Sequence, residues 1–168
     1  MRGARLPLVD PDTQPTTPTP DAEVPPPHAP AEVELQLRWG DMDINAHINN
    51  VQFARLFEEG RVRAFSRWFP GGAERLPILV VRQDVEFRAT LDYTLDPVVM
   101  RLAITRLGTS SYTIGATLSA ADGTLCALAR TTMVVIDPAT GRPTPIPPSA
   151  RQILESHRAQ LPELRPRD

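Results

Sequence analysis

Asp43, His47 and Asn50 lie close together in a polar stretch of the 168-residue chain, RWGDMDINAHINN. A carboxylate can act as a nucleophile or as a general base toward water, and an imidazole or amide beside it can orient the water or a leaving group. The stretch runs directly into NVQFARLFEEGRVRAFSRW, in which apolar residues recur at helical spacing. We therefore expect these polar groups to meet at the beginning of a helix.

The start of that helix is itself a candidate functional group. Asn49 is the predicted N-cap, and Gln52 three residues later resembles the second member of a capping box. The first N–H groups of a helix lack intrahelical partners and together carry about half a positive charge. The N–H of Asn50 could therefore stabilise the negative charge that develops on a carbonyl oxygen under attack, with Asp43 folded over the same end.

Helix capping alone is the alternative explanation of the stretch. Asp, Asn and His are common before helices because their side chains bond nearby backbone N–H groups. One cap does not use all of the polar residues present, which are Asp41, Asp43, Asn45, His47, Asn49 and Asn50. We assign Asp41 to structure, paired with Arg38 or Arg61. For His47 a loop role and a catalytic role stay equally open.

The flanking sequence predicts an α+β fold. Alternating Val33, Leu35 and Leu37 indicate a half-buried strand, and the apolar residues of segment 49–68 surround most of the helical wheel, which predicts a buried helix. Four further strands are predicted at 78–89, 96–107, 111–120 and 124–137, followed by a short helix at 149–157 with Ser149 as its N-cap. This order favours a curved antiparallel sheet of about five strands wrapped around the long helix.

Composition limits the possible partners and the organisation of the chain. A net charge of −2 without a basic run gives no field for nucleic acid or anionic lipid, and no apolar run is long enough to span a membrane. The single cysteine, Cys126, can form neither an internal disulfide nor a zinc site, which favours a cytoplasmic location. We predict a disordered Pro-rich tail at 1–32, one domain at 33–158 and a flexible C-terminus at 159–168.

The stretch RWGDMDINAHINNVQFARLFEEGR resembles the motif of the hotdog-fold acyl-CoA thioesterases of the 4-hydroxybenzoyl-CoA thioesterase group. That motif runs aromatic, x, Asp, x, Asp, then Gly-His-x-Asn-Asn, an aromatic residue, and Glu-Ala-Arg on the helix. VEFRA, RLGTSSYT, ADGTLCALARTTMVVID and GRPTPIP follow in the family's order, so the resemblance covers about residues 33 to 155. It implies a hotdog fold and hydrolysis of an acyl-CoA to the free acid and CoA, without a metal or redox cofactor.

The resemblance also assigns roles to individual residues. Asp43 corresponds to the catalytic carboxylate, the Asn50 N–H to the group that polarises the thioester carbonyl, and His47 to the family histidine. Glu58 is the second candidate carboxylate, because some hotdog thioesterases take theirs from the helix. The expected contacts to CoA are Arg88, Ser110 and Ser111. The family's assembly implies a homodimer or homotetramer with the acyl tunnel at the dimer interface.

Departures from the family pattern bear on pocket shape more than on reaction type. Ala46 stands where the family usually has Gly, Phe53 replaces a common Tyr, Ala89 a common Pro, and Gly60 the helix Ala. Two other functions remain open at this point. One is a hydratase of related fold that acts on enoyl-CoA, and the other is a non-catalytic acyl-CoA binding or sensor protein.

Overall fold

A computed structural model describes residues 29–70 and 76–166, which form a five-stranded antiparallel sheet and two α-helices. The strands are β1 (Ala31–Leu35), β2 (Ile78–Phe87), β3 (Val98–Leu107), β4 (Ser111–Ser119) and β5 (Leu125–Val135). The helices are α1 (Asn50–Trp68) and α2 (Pro148–Ser156). The predicted α+β class is confirmed. None of the described helices is long and apolar enough to cross a membrane.

The strands lie in the order β1-β3-β4-β5-β2, so β1 and β2 form the two edges of the sheet. Helix α1 packs mainly on β1 and β3 and presents Leu56 and Phe57 to the core. Met100 and Leu118 on the facing strands are fully buried in the same cluster. The sheet and the long helix therefore share one hydrophobic core, as the strand alternation and the broad apolar face of α1 predict.

The start of β1 and the start of α2 differ from the predicted boundaries. Strand β1 begins at Ala31, inside the segment assigned to the Pro-rich tail; most of that tail, residues 1–28, lies outside the described residues. The N-cap of α2 is Pro147, so the prediction that Ser149 caps this helix was wrong. Pro148 takes the first helical position, where its fixed φ suits a helix and its missing N–H costs nothing.

The C-terminal segment, residues 158–166, lies along the sheet, and the flexibility predicted for residues 159–168 stays a prediction. It begins where the N–H of Ile104 donates to the carbonyl of His157 at 3.0 Å, at a point on β3 just beyond the N-terminal end of β1. Ala159 is buried, and Leu161 approaches Gly115 closely. Arg165 then bonds the Glu86 carboxylate on β2. The segment therefore crosses the sheet from β3 to the β2 edge.

Gly60 allows α1 and β3 to approach each other. A Cβ at position 60 would lie 2.2 Å from Sδ of Met100, whose side chain is fully buried. A glycine in a helix costs about 1 kcal/mol relative to alanine. The close contact explains why this helix has glycine where the family has alanine.

We expect Gly60→Ala to lower the free energy of unfolding by about 1–3 kcal/mol, because overpacking outweighs the better helix propensity of alanine. Urea unfolding measures the change. In a Met100→Val background the same substitution should cost at least about 1 kcal/mol less, since valine lacks the obstructing sulfur. Stabilisation by Gly60→Ala in the wild-type background would contradict the close packing of α1 on β3.

Candidate active site

A pocket of about 410 Å³ lies where the N-terminus of α1 meets the C-terminal end of β2. It brings together four residues that the sequence predicts for the site, namely Asp43, His47, Asn50 and Arg88. The remaining lining residues are Ile48, Phe53, Phe87, Ala89, Thr90 and Leu91. Polar groups from the loop before α1 therefore face an apolar and aromatic wall from the end of β2.

Backbone hydrogen bonds shape the loop that carries Asp43 and His47. The N–H of Asp43 donates to the carbonyl of His47 at 2.9 Å, and the N–H of Ala46 donates to the carbonyl of Asp43 at 3.1 Å. The N–H of Ile48 donates to the carbonyl of Leu91 at 2.7 Å, which ties the loop to the chain beyond β2. The turn therefore holds Asp43 and His47 at one side of the pocket.

The Asp43 carboxylate accepts hydrogen bonds from the residue two positions further on. Its Oδ1 accepts from the Asn45 N–H at 2.8 Å, and its Oδ2 accepts from the Asn45 side-chain amide at 3.4 Å. The backbone bond from Asn45 is the largest cause that lowers the pKa of Asp43 below its usual value. The carboxylate is therefore ionised at neutral pH, as a nucleophile or a base must be.

The N-terminus of α1 leaves one donor open at the pocket. Asn49 is the N-cap as predicted, and its Oδ1 accepts from the Val51 N–H at 3.1 Å. The predicted capping box does not form, because the Gln52 side chain accepts from Arg55 and the Asn49 N–H donates to the Asp41 carbonyl. The N–H of Asn50 has no hydrogen-bond partner within the described part of the chain. It is thus available to a ligand oxygen.

Asp41 holds the loop on α1 through Arg55, and of its two expected partners Arg38 bonds it, through the backbone N–H, and Arg61 does not. Its carboxylate is 4% exposed and accepts from Arg55 Nη2 at 2.6 Å and from the Arg38 backbone N–H at 2.8 Å. The prediction of a pair with Arg61 was wrong. Arg61 instead turns toward the sheet and donates to the Thr131 hydroxyl at 3.3 Å, where burial lowers the pKa of its guanidinium.

His47 lies beside an acidic residue that the sequence analysis missed. Its Nε2 is 3.7 Å from Oδ1 of Asp92, and the two residues also form an isolated backbone bridge. Both side chains remain accessible to solvent. No local pattern could have paired two residues so distant in sequence.

The aromatic wall of the pocket was also missed. Phe53 on α1 and Phe87 at the end of β2 pack edge to face, with ring centroids 5.1 Å apart. Phe87 is 46% exposed and lines the pocket. The partial signal in the sequence was the segment VEFRA, which contains Phe87. Phe53, which replaces the family's tyrosine, gives this wall an apolar surface.

Glu58 is not brought to this pocket. Its side chain is exposed on α1, two turns beyond Asn50, which corresponds to about 12 Å along the helix axis. Its charge acts on the guanidinium of Arg61 on the same helix, where it opposes the larger effect of burial, which lowers the pKa of that guanidinium. Within one chain, the helix carboxylate and the Asp43 carboxylate therefore belong to separate surfaces.

Ser110 and Ser111 also lie away from the pocket in a single chain. They lie at the turn between β3 and β4. Ser111 pairs with Val134 of β5, and Val134 pairs on its other side with Leu79, near the start of β2. Phe87, at the pocket, lies at the opposite end of β2, which corresponds to about 25 Å along the strand. These serines can reach the pocket only from a second copy.

Comparisons with known proteins agree with this fold. The model of the Thioesterase-like superfamily matches residues 37–154. A predicted thioesterase from Bacillus stearothermophilus is 29% identical, with a TM-score of 0.69, over 79% of this chain and 98% of that one. A thioesterase from Thermus thermophilus, complexed with coenzyme A and zinc, is 27% identical, with a TM-score of 0.67, over 79% and 98% of the two chains.

A 1,4-dihydroxy-2-naphthoyl-CoA thioesterase from Synechocystis shares the fold at 20% identity, with a TM-score of 0.62, over 73% of this chain and 93% of that one. No match is found among curated proteins.

We expect Ala46→Gly to raise the free energy of unfolding by about 0.5–1 kcal/mol. Ala46 has a φ of +61°, a left-handed conformation that is strained for a residue with a Cβ and that glycine adopts freely. Urea unfolding again measures the change. Ala54→Gly, at an exposed position of α1, is the matched control and should instead destabilise by about 1 kcal/mol. Equal destabilisation by both substitutions would contradict the left-handed turn.

Proposed function

The chain belongs to the Thioesterase-like superfamily, and we propose that it hydrolyses the thioester bond of an acyl-CoA to the free acid and CoA. One observation carries this proposal. The Asp43 carboxylate and the unpartnered N–H of Asn50 line the same pocket, so an ionised carboxylate faces a donor for a carbonyl oxygen. We also propose that, within the superfamily, the chain belongs with the 4-hydroxybenzoyl-CoA thioesterase group, as its sequence motif implies.

Asp43 can begin the reaction in two ways. As a general base it takes a proton from a water molecule, whose oxygen attacks the thioester carbon. As a nucleophile it attacks that carbon itself, giving an anhydride that water then hydrolyses. In both routes the Asn50 N–H stabilises the oxyanion, and the C–S bond breaks as the oxyanion collapses. The CoA thiolate leaves and takes up a proton, and His47 lies on the pocket wall to orient water or that leaving group.

The rest of the pocket suits the two ends of an acyl-CoA. Phe53 and Phe87 offer an apolar surface to the acyl group. Arg88 lines the same pocket with a guanidinium, the donor best matched to phosphate oxygens. The Thermus relative was found with coenzyme A bound, which supports CoA as the thiol carrier.

We further propose that two copies pair along β2. The free edge of β1 is blocked, because Arg63 and Arg67 of α1 donate to the carbonyls of Glu34 and Glu32. In the described residues no side chain bonds the free backbone edge of β2 at Leu79, Val80 or Val81, and these three apolar residues are exposed. An unpaired apolar edge is a template for another strand.

Two-fold antiparallel pairing along β2 would complete the site. It would set the beginning of β2 in the second copy beside the end of β2 in the first, where Phe87 lines the pocket. The turn that carries Ser110 and Ser111 lies at the same end of the sheet as the beginning of β2, and β5 separates β4 from β2. These serines would therefore approach the pocket of the other copy, as the expected CoA contacts require. A homotetramer would be formed by association of two such dimers.

Thiol release from short, long and aromatic acyl-CoAs tests the activity. We expect the wild type to release CoA and Asp43→Asn to lower kcat by about 100-fold or more while it still binds acyl-CoA, because the amide keeps the shape and loses the charge. Glu58→Gln is the matched control and should remain close to wild type. If the wild type binds acyl-CoA without releasing thiol, the protein is a binding protein. Addition of water to enoyl-CoA without thiol release would indicate a hydratase.

A charge on the β2 edge tests the dimer. We expect Val81→Glu to produce monomers, measured by light scattering after size exclusion, and to lower thiol release with them, because like charges would then face each other across the two-fold axis. Leu95→Glu, at an exposed apolar residue away from β2, should leave the assembly unchanged. A wild type that is monomeric yet active would contradict the shared site.

A further inference from the structure

The C-terminal segment brings an additional arginine to the rim of the pocket. From Ile104 the segment passes Gly115 and reaches Glu86 on β2, two residues before Arg88. Arg165 binds Glu86 twice, with its backbone N–H to Oε2 at 2.8 Å and with its Nε to Oε1 at 2.5 Å. A residue near the end of the chain is therefore fixed next to the pocket wall.

One carboxylate oxygen joins this arginine to the pocket. Oε1 of Glu86 accepts from Arg165 Nε at 2.5 Å and forms an ion pair with Arg88, whose Nε lies 2.6 Å away, so the two guanidiniums are neighbours. The hydrogen bonds from Arg165 are the main cause that holds the pKa of Glu86 below its usual value. Two positive charges around one negative charge leave this part of the rim with a net charge of +1.

Both arginines keep donors available. Arg165 donates its Nε to Glu86 and Arg88 forms its ion pair with Glu86 through Nε, and the terminal nitrogens of neither have a hydrogen-bond or ion-pair partner in residues 29–70 and 76–166. The side chain of Arg165 is 67% exposed and that of Arg88 is 33% exposed. Guanidiniums whose Nε is fixed by a carboxylate are held in orientation, and their free ends then suit the oxygens of a phosphate.

We propose that Arg165 and Arg88, oriented by Glu86, form a phosphate-binding clamp for the thiol carrier of the substrate. This inference rests on the proposed function, which supplies the carrier. A pocket of about 410 Å³ has room for the acyl end and the thioester but not for a whole acyl-CoA, so the phosphates must lie at the rim. Arg88 lines the pocket and Arg165 stands beside it on the outer side.

The phosphates could belong to CoA or to the phosphopantetheine of an acyl carrier protein, because both present phosphate at the end of a pantetheine arm. Binding of CoA, 4′-phosphopantetheine and pantetheine to the full-length protein, measured by calorimetry, distinguishes these sources. We expect Arg165→Gln to weaken CoA binding by about tenfold and to leave pantetheine binding unchanged. An equal loss with phosphopantetheine assigns the clamp to the phosphate that both carriers share, and a loss with CoA alone assigns it to the nucleotide phosphates.

Controls separate a binding role from a structural one. Arg158→Gln removes an exposed arginine of the same segment whose side chain pairs with Glu155, and should leave all three affinities unchanged. Arg165→Lys should recover part of the CoA affinity, because it keeps the charge but loses the planar fork. If Arg165→Gln weakens pantetheine as much as CoA, the residue only holds the fold and the proposal is wrong. Unchanged CoA binding would also overturn it.

Turnover assays distinguish a failure of the phosphate clamp from a failure of the proposed hydrolysis. Acyl-N-acetylcysteamine carries the thioester without any phosphate, so its hydrolysis by the wild type tests hydrolysis alone. We expect Arg165→Gln to raise KM for acyl-CoA about tenfold without changing kcat/KM for this truncated substrate. If the wild type hydrolyses neither thioester, the proposed function fails, while the CoA binding data still decide whether the clamp exists.

Discussion

The contact between the buried Asp41 carboxylate and α1 determines the position of the whole polar loop. Asp41 accepts from the Arg38 N–H at the loop's beginning and from Arg55 in the second turn of the helix, and its carbonyl accepts from the N–H of Asn49. One residue thus bonds the entry to the loop, the helix body and the N-cap. Loss of this carboxylate would leave the partly buried guanidinium of Arg55 without its shortest ion pair, which is costly. Asp43 follows two residues later, so its place at the pocket depends on this contact.

The same ion pair begins a network that continues along α1 to the edge of the sheet. Arg55 also binds Glu59, Glu59 binds Arg63, and Arg63 donates to the Glu34 carbonyl of β1. Each exposed ion pair contributes little to the stability of the fold, so the network acts mainly by orienting α1 on the sheet. It fixes the register of α1 on β1 while it covers the backbone of that edge. Since β1 is then closed to pairing, the proposed dimer would form along β2, and the charges that shape the pocket would also determine where the second copy binds.

Local patterns were sufficient to predict the elements, because each strand and helix has a periodicity that its own residues determine. The alternation in β2 and the broad apolar face of α1 identified both correctly, and Asn49 was recognised as the N-cap. Contacts between distant residues were not predictable in the same way. Arg55 could not be selected over Arg61 as the partner of Asp41 without knowledge of the helix rotation. Likewise, nothing in the sequence of the C-terminal segment indicates that Arg165 meets Glu86, since the contact depends on how the segment crosses the sheet.

The bonds from Asn45 to Asp43 reconcile the two explanations of the polar loop, because the carboxylate that stabilises the turn is also the one that faces the pocket. These bonds keep Asp43 ionised, but a lowered pKa also makes it a weak proton acceptor at neutral pH. A bound acyl group would exclude water from the carboxylate, and desolvation raises the pKa of an acid. The basicity needed for the proposed hydrolysis would then arise only when substrate fills the pocket. In the free protein the same carboxylate holds the turn, so its structural role and its proposed chemical role would belong to different states of one site.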